Sequence, residues 1–421
     1  MKSNEAVNNT DKANQTSYPR EKLKVLLLEN VNKEAVNLFK ANGYSNITHL
    51  TAALPEEELL NKIKDVHILG IRSKTHVTKE VLAAADKLLA IGCFCIGTNQ
   101  VDIPEATRKG VAVFNAPYSN TRSVAELVIG AMLMLIRKVP EKNRLAHEGI
   151  WNKDAKGSYE LRGKKLGIIG YGNIGSQLSV LAESLGMRVQ YYDIQKKLPL
   201  GNAQPIASLN ELLQTSDVIT IHTPFTKQTH NIINHETLSQ FKPGALFINY
   251  ARGEVADMDA LKWAMDTGVL SGVAVDVYPF EPEKNGDAFQ CTLQGVPNVL
   301  LTPHIGGSTQ EAQADIGVDV STKLVGFVET GTTIGSHTIP QLSLPILEGT
   351  HRILHIHNNV PGMLSSINTA LSKSGINILA QYLKTNDAVG YVVLDVSAQL
   401  SGSAVDLIKH VEGTIKVRVL Y

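Results

Sequence analysis

At 421 residues the chain is too long for one ordinary domain, and 43% hydrophobic with 19% charged residues is a globular composition. Its formal net charge is zero, so nothing draws it generally to nucleic acid or to an anionic membrane. The three cysteines, Cys93, Cys95 and Cys291, are too few and too odd for a disulfide framework and fit a reducing cytoplasm. Cys93 and Cys95 read as buried apolar cysteines, and no Cys or His cluster completes a metal site around them.

The first twenty residues are polar, lack the apolar core of a signal peptide and read as a disordered tail. Lys24 to Glu29 reads as a buried strand, followed by a helical stretch through Lys40. Further strands fall at Val66 to Ile71 and Leu88 to Cys93. Strands alternating with helices imply a parallel sheet covered on both faces. A helix from Ser123 to Lys138 opens a second α/β unit. Its apolar run, Ala125 to Ile136, is too short to span a bilayer. The strand Lys164 to Ile169 runs into Gly170-Tyr171-Gly172-Asn173-Ile174-Gly175. A helix to Leu185, the strand Arg188 to Tyr192 and Asp193 follow. Further strands are expected at Val218 to His222, Ala245 to Asn249, Gly272 to Val277 and Val299 to Leu301.

The helical run Thr309 to Val328 is expected to return to the first unit, and Gly331 to Pro345 reads as a linker. The remainder changes character. A strand at Arg352 to His357 precedes a helix opened by Pro361-Gly362 and ending near Lys373. Ile376 to Thr385 and Tyr391 to Val396 form a hairpin, then come a helix at Val405 to Val411 and a strand at Thr414 to Leu420. That order, βαββαβ, is ferredoxin-like. The expected fold class is α/β: two Rossmann-like doubly wound parallel-sheet domains plus a ferredoxin-like one. The expected boundaries are a tail at 1–20, a discontinuous substrate-binding domain at 21–119 and 308–345, a dinucleotide-binding domain at 120–307 and a regulatory domain at 346–421.

A G-x-G-x-x-G stretch gains meaning only after a strand, before a helix and ahead of an acidic residue, and Gly170, Gly172, Asn173, Ile174, Gly175 and Asp193 stand in that setting. The glycines let backbone approach a pyrophosphate, and the helix N-terminus favours its charge. Asp193 can accept hydrogen bonds from ribose hydroxyls and repels a 2′-phosphate, so NAD is the expected cofactor. Arg252 can clamp a carboxylate. His304 can exchange a proton near neutrality, and Glu281 can orient its ring. Taken singly, each could be a surface ion pair, a cap or a buried histidine. Together, at the ends of successive elements beside a cofactor turn, they are the parts that oxidise a 2-hydroxy acid.

On the glycine stretch with Asp193, Asn249 to Asp257, Asp276 to Pro282 and Pro303 to Gly307, the chain resembles the D-isomer-specific 2-hydroxyacid dehydrogenases. The resemblance implies that Arg252 binds the substrate carboxylate and that His304 and Glu281 relay the proton. It also implies that Asp276 lies near the nicotinamide carboxamide, while Tyr250, Ala251, Arg252, His304, Ile305, Gly306 and Gly307 line the cofactor. On Gly70 to Thr75, Ile91 to Asp102 and Phe114 to Glu126 it is similar to the members that oxidise 3-phospho-D-glycerate at the first step of L-serine biosynthesis. A phosphorylated substrate needs cations beyond Arg252, and Arg72 and Lys74 follow a strand where they could supply them. Lys74 stands where many relatives carry Arg, keeping the charge without the planar fork.

The last domain resembles an ACT domain, a small-molecule sensor. His357, Asn359 and Asn377 match the residues that hold L-serine in bacterial members, while Asn358 and Val360 depart from their usual acidic and Arg neighbours. The resemblance implies L-serine feedback, a homotetramer joined through paired tails, and a side reduction of 2-oxoglutarate to 2-hydroxyglutarate. Two other readings stay open on the sequence. One is a dehydrogenase for another D-2-hydroxy acid. The other is a non-enzymatic NAD-sensing corepressor, a class that lacks the tail.

Overall fold

The computed structural model describes residues 18–282, 286–397 and 401–420. Most of the expected N-terminal tail lies outside these residues. Within them, Tyr18 stacks on His67 and Arg20–Lys22 form a 3-10 turn, so the last residues of the expected tail are structured. The chain divides into two units, Tyr118–Ala312 and the remainder on either side of it.

The first unit opens with β1 (Val25–Leu27), α1 (Lys33–Ala41), β2 (Ile47–His49), α2 (Glu56–Lys62), β3 (Ile68–Ile71), α3 (Lys79–Ala84), β4 (Ala90–Cys93), α4 (Ile103–Arg108) and β5 (Ala112–Asn115). The strands are parallel in the order β2-β1-β3-β4-β5. Alternation divides their side chains between two cores. Val25, Leu27 and Ile68 face one, and Leu26, Leu28, Leu69 and Ile71 face the other. Helix starts follow the capping rules: the Asn32 side chain accepts from Glu34 N, and Asp102 accepts from Glu105 N.

The second unit holds α5 (Thr121–Ile136), α6 (Val139–His147), β6 (Lys165–Ile169), α7 (Asn173–Ser184), β7 (Arg188–Tyr192), β8 (Gln204–Pro205), α8 (Leu209–Thr215), β9 (Val218–Ile221), α9 (His235–Leu238), β10 (Ala245–Asn249), α10 (Met258–Asp266), β11 (Leu270–Val275) and β12 (Val299–Leu301). Its parallel sheet runs β12-β11-β10-β9-β6-β7-β8. The chain leaves β6 toward β7 and β8, then crosses back to β9. That reversal is the switch point where open α/β sheets bind ligands. The apolar run in α5 is a core helix, with Val128, Ala131, Met132 and Leu135 buried.

A long helix, α11 (Gln310–Thr330), carries the chain back to the first unit. Its Ile316, Val320, Leu324 and Phe327 complete the core behind β1 and β5. The segment read as a linker is not free. His337 N donates to Val113 O, Val113 N donates to Thr338 Oγ1, and Thr338 Oγ1 donates to Val111 O. It thereby satisfies the outer edge of β5.

The tail is β13 (Thr350–Asn358), α12 (Met363–Lys373), β14 (Ile378–Thr385), β15 (Val389–Ser397), α13 (Ser401–Lys409) and β16 (Thr414–Leu420). Its antiparallel order is β14-β15-β13-β16, the expected ferredoxin-like sheet. One face meets the two helices through Ile353, Val392 and Leu394. The other places Leu354, Ile356 and Tyr391 in the core shared with Phe114 and Leu324. Arg352 is buried there beside Asp395 (Nε–Oδ1 2.8 Å, Nη2–Oδ2 2.9 Å) and also donates to Pro345 O. No helix among the described residues is long and apolar enough to cross a membrane.

Candidate active site

The glycine turn follows β6 at the switch point. Gly170 has φ +89°, and a Cβ there would sit 2.8 Å from His222 O. A Cβ at Gly175 would meet Gly170 O at 2.5 Å, so helix and turn pack too closely for any side chain. Gly172 caps α7 and faces open space, and no side chain caps the helix. Its first N–H groups are therefore left for an anion. Asn173 is exposed and Ile174 half-buried in the first turn. Asp193, at the end of β7, accepts from Tyr171 N and Gln195 N at 2.8 Å each, which ties the acidic residue to the glycine turn. These residues fit a dinucleotide: a bare helix start, two glycines that admit no Cβ, and a carboxylate beside them.

The three chemical groups stand just past β10, β11 and β12, neighbours in the sheet. Buried Asn249 shapes the first loop. Its Oδ1 accepts from Ala251 N at 3.1 Å and its Nδ2 donates to Arg252 O at 2.9 Å. Gly253 then presses on the second loop, where a Cβ would lie 2.0 Å from the Tyr278 carbonyl carbon. Tyr278 OH donates to Val275 O and Thr302 O, tying the ends of β11 and β12. Its N–H donates to Glu281 Oε1 at 3.1 Å.

Glu281 meets His304 Nδ1 at 2.8 Å through Oε2 and 3.0 Å through Oε1. That hydrogen bond, against partial burial and with the Glu281 charge in support, holds the His304 pKa above the ordinary imidazole value. For Glu281, partial burial is the largest influence and acts upward. The His304 hydrogen bond and charge, the Tyr278 N–H and the Arg252 charge outweigh it, so its pKa is lowered. With Nδ1 committed to Glu281, Nε2 is the nitrogen left for the substrate.

His304 has φ +54°, a conformation rare for a residue with a side chain. Buried Asp276 holds it there: Oδ1 accepts from Ile305 N (2.8 Å) and Thr302 Oγ1 (2.6 Å), and Oδ2 from Gly306 N (2.7 Å). A Cβ at Gly307 would lie 2.2 Å from Asn120 Nδ2, so this turn also packs tightly. Tyr250 is 5% exposed with its ring in the core, and burial beside the Asp276 charge pushes its hydroxyl up to about 12. Asn249, Thr302 and Asn120 lie in or beside the motif stretches, but the sequence assigns them no role. An amide or hydroxyl in a loop is ordinarily a turn former, and only the fold reveals what each one holds. A cavity of about 720 Å³ is lined by Asp257, Tyr278, Phe280 and Cys291 but by none of the three chemical groups, so volume does not locate the chemistry.

Arg72 and Lys74 stand in the other unit, on the loop after β3. In the tail, His357 is 2% exposed and its Nδ1 lies 2.8 Å from Asn358 O, while Asn359 Nδ2 donates to Asn386 O. Asn377 is exposed and precedes β14. His357 pairs with Gly390 across β15, whereas Ile378 pairs with Val396 at its other end. That separation is roughly 20 Å at the usual rise per residue. One tail therefore brings His357 and Asn359 together but not Asn377.

A family model described as D-isomer specific 2-hydroxyacid dehydrogenase, NAD binding domain, matches residues 129–306, and one for an AHAS small subunit-like ACT domain matches 353–416. The chain is 52% identical to D-3-phosphoglycerate dehydrogenase of Haemophilus influenzae, over 97% of this chain and all of that one. It is 51% identical to the Escherichia coli protein of the same name, over 96% and 99%. Among solved structures it is similar to D-lactate dehydrogenase from Aquifex aeolicus, complexed with NAD and lactic acid. There the TM-score is 0.64 at 27% identity, covering 76% of this chain and all of that one.

Proposed function

The chain belongs to the D-isomer-specific 2-hydroxyacid dehydrogenase family, and from that premise we propose that it oxidises 3-phospho-D-glycerate to 3-phosphohydroxypyruvate, the first step of L-serine biosynthesis. It is an NAD-dependent oxidoreductase. Bound NAD supplies the acceptor for the hydride that leaves the substrate's C2. Arg252 holds the substrate carboxylate. His304 Nε2 takes the hydroxyl proton as the C–O bond becomes a carbonyl, and Glu281 stabilises the imidazolium formed. In the reverse direction His304 returns that proton. The observation that carries the chemistry is the His304–Glu281 pair beside Arg252 on three neighbouring strand ends. The substrate rests on the near-full-length likeness to relatives named for it and on the Arg72 and Lys74 cations, whose charge suits a phosphate. Reduction of 2-oxoglutarate to 2-hydroxyglutarate is the side reaction proposed, since it presents Arg252 and His304 with the same carboxylate and adjacent carbonyl.

The tail is read as the L-serine sensor through His357, Asn359 and Asn377. Because the register separates Asn377 from the other two, a complete set requires residues from two copies. This favours tails paired between subunits; the homotetramer takes a second interface besides this one. The test is NADH formation from 3-phospho-D-glycerate with and without L-serine, with D-lactate for comparison. Turnover of the phosphorylated acid, suppressed by L-serine, is expected. Turnover unaffected by L-serine would remove the sensor reading alone, and turnover of D-lactate only would remove the substrate.

A further inference from the structure

The loop that carries Arg72 and Lys74 is held from beneath by a carboxylate the reaction does not use. Glu29 follows β1 and is 8% exposed. Its Oε1 accepts from Arg72 N at 3.0 Å and Thr75 N at 2.9 Å, and its Oε2 from Lys74 N at 2.9 Å. Gln100, 4% exposed on the loop after β4, donates Nε2 to Arg72 O at 2.6 Å. β1 and β4 flank β3 in the sheet, so both neighbours of the strand reach over to fix the loop that leaves it. These are the carboxyl ends of parallel strands, the edge at which open α/β sheets bind ligands.

Two costs accompany this arrangement. Glu29 and Asn30 take φ of +61° and +53°, a strained region for residues with side chains, and such strain collects where function fixes it. A buried carboxylate also opposes an anion bound nearby. A loop that needed only to turn could avoid both. With its oxygens committed to three N–H groups, Glu29 sets the backbone path from which the two cationic side chains project.

We propose that Glu29 and Gln100 are positioning residues for substrate selection, fixing the 72–75 loop so that Arg72 and Lys74 meet the substrate's phosphate. This rests on the phosphate reading above. Glu29→Gln puts an NH2 where one carboxylate oxygen accepts, and Gln100→Leu removes the donor to Arg72 O. Steady-state kinetics with 3-phospho-D-glycerate and with D-glycerate, at saturating NAD, test both variants beside Arg72→Ala. The expected result for both is a KM for the phosphorylated acid raised on the order of tenfold or more, because small misplacements of binding groups are costly. KM for D-glycerate should stay within about twofold, and so should KM for NAD in a separate titration of the cofactor, which general loss of structure would not allow. Equal changes for both acids, or none, while Arg72→Ala still loses phosphate preference, would overturn the positioning role and leave the phosphate site standing. If Arg72→Ala keeps full preference, the phosphate reading fails and this inference falls with it. Should Glu29→Gln not fold, Gln100→Leu decides the matter alone.

Discussion

At His304 a strained backbone and a paired side chain coincide. The carboxylate of Asp276 holds the first, and that of Glu281 governs the second. The sign of the pH dependence follows. With His304 as the proposed base, oxidation needs it neutral, so kcat/KM for the hydroxy acid is expected to rise with pH through a pKa lying above the ordinary imidazole value. Reduction needs the imidazolium and declines across the same window. Glu281→Gln removes the charge and weakens the hydrogen bond that together hold the pKa up, so both limbs should move to lower pH; a profile that stays in place would contradict the pairing. His304→Asn should lower kcat by on the order of 10²–10⁴ with little change in KM. Asp193→Ala should raise KM for NAD and shift preference toward NADP, measured as the ratio of the two kcat/KM values. An unchanged ratio would mean that the carboxylate only holds the turn at Tyr171. Arg252, Glu281 and His304 were legible in the sequence because guanidinium, carboxylate and imidazole fall in order after three strand patterns. The tie between Glu29 and the 72–75 loop was not, since it joins atoms more than forty positions apart.

At the scale of elements, long apolar strands and capped helices were readable from pattern. β7, β10, β12 and β16 fall where the sequence places them. The missed pieces have physical reasons. β2 is a half-exposed edge strand with no apolar run. α6 has no buried residue to give it a face. The segment 331–345 has loop composition yet is docked, because its partners at Val111 and Val113 lie more than two hundred positions away. Loop against loop is where one methyl group should matter most. In Gly253→Ala the new Cβ cannot coexist with the Tyr278 carbonyl, so the Arg252 and Glu281 loops must part. A loss on the order of 10²-fold in kcat/KM is expected, since such displacements misalign reacting groups. Near-normal turnover would show that the two loops need not touch.

For the molecule as a whole, strand order foretold the α/β class and the ferredoxin-like tail. Sequence could not foretell that the tail's sheet shares a core with the first sheet, with Arg352 and Asp395 buried where they meet. Asp395→Asn would leave the Arg352 charge buried without its carboxylate, and breaking such a pair costs about 3–5 kcal/mol. Chemical denaturation should register that loss; a change below about 1 kcal/mol would mean the guanidinium is satisfied by the Thr330, Leu344 and Pro345 carbonyls alone. Within one tail, His357 and Asn377 lie beside opposite ends of β15, a separation that only the register reveals. Oxidation of a phosphorylated 2-hydroxy acid is tested most directly by kcat/KM for 3-phospho-D-glycerate against D-glycerate, two acids that differ by the phosphate alone. A preference for the phosphorylated acid on the order of 10²-fold or more is expected, as charge-assisted hydrogen bonds to a phosphate would supply. Equal values, or preference for D-glycerate, would contradict it.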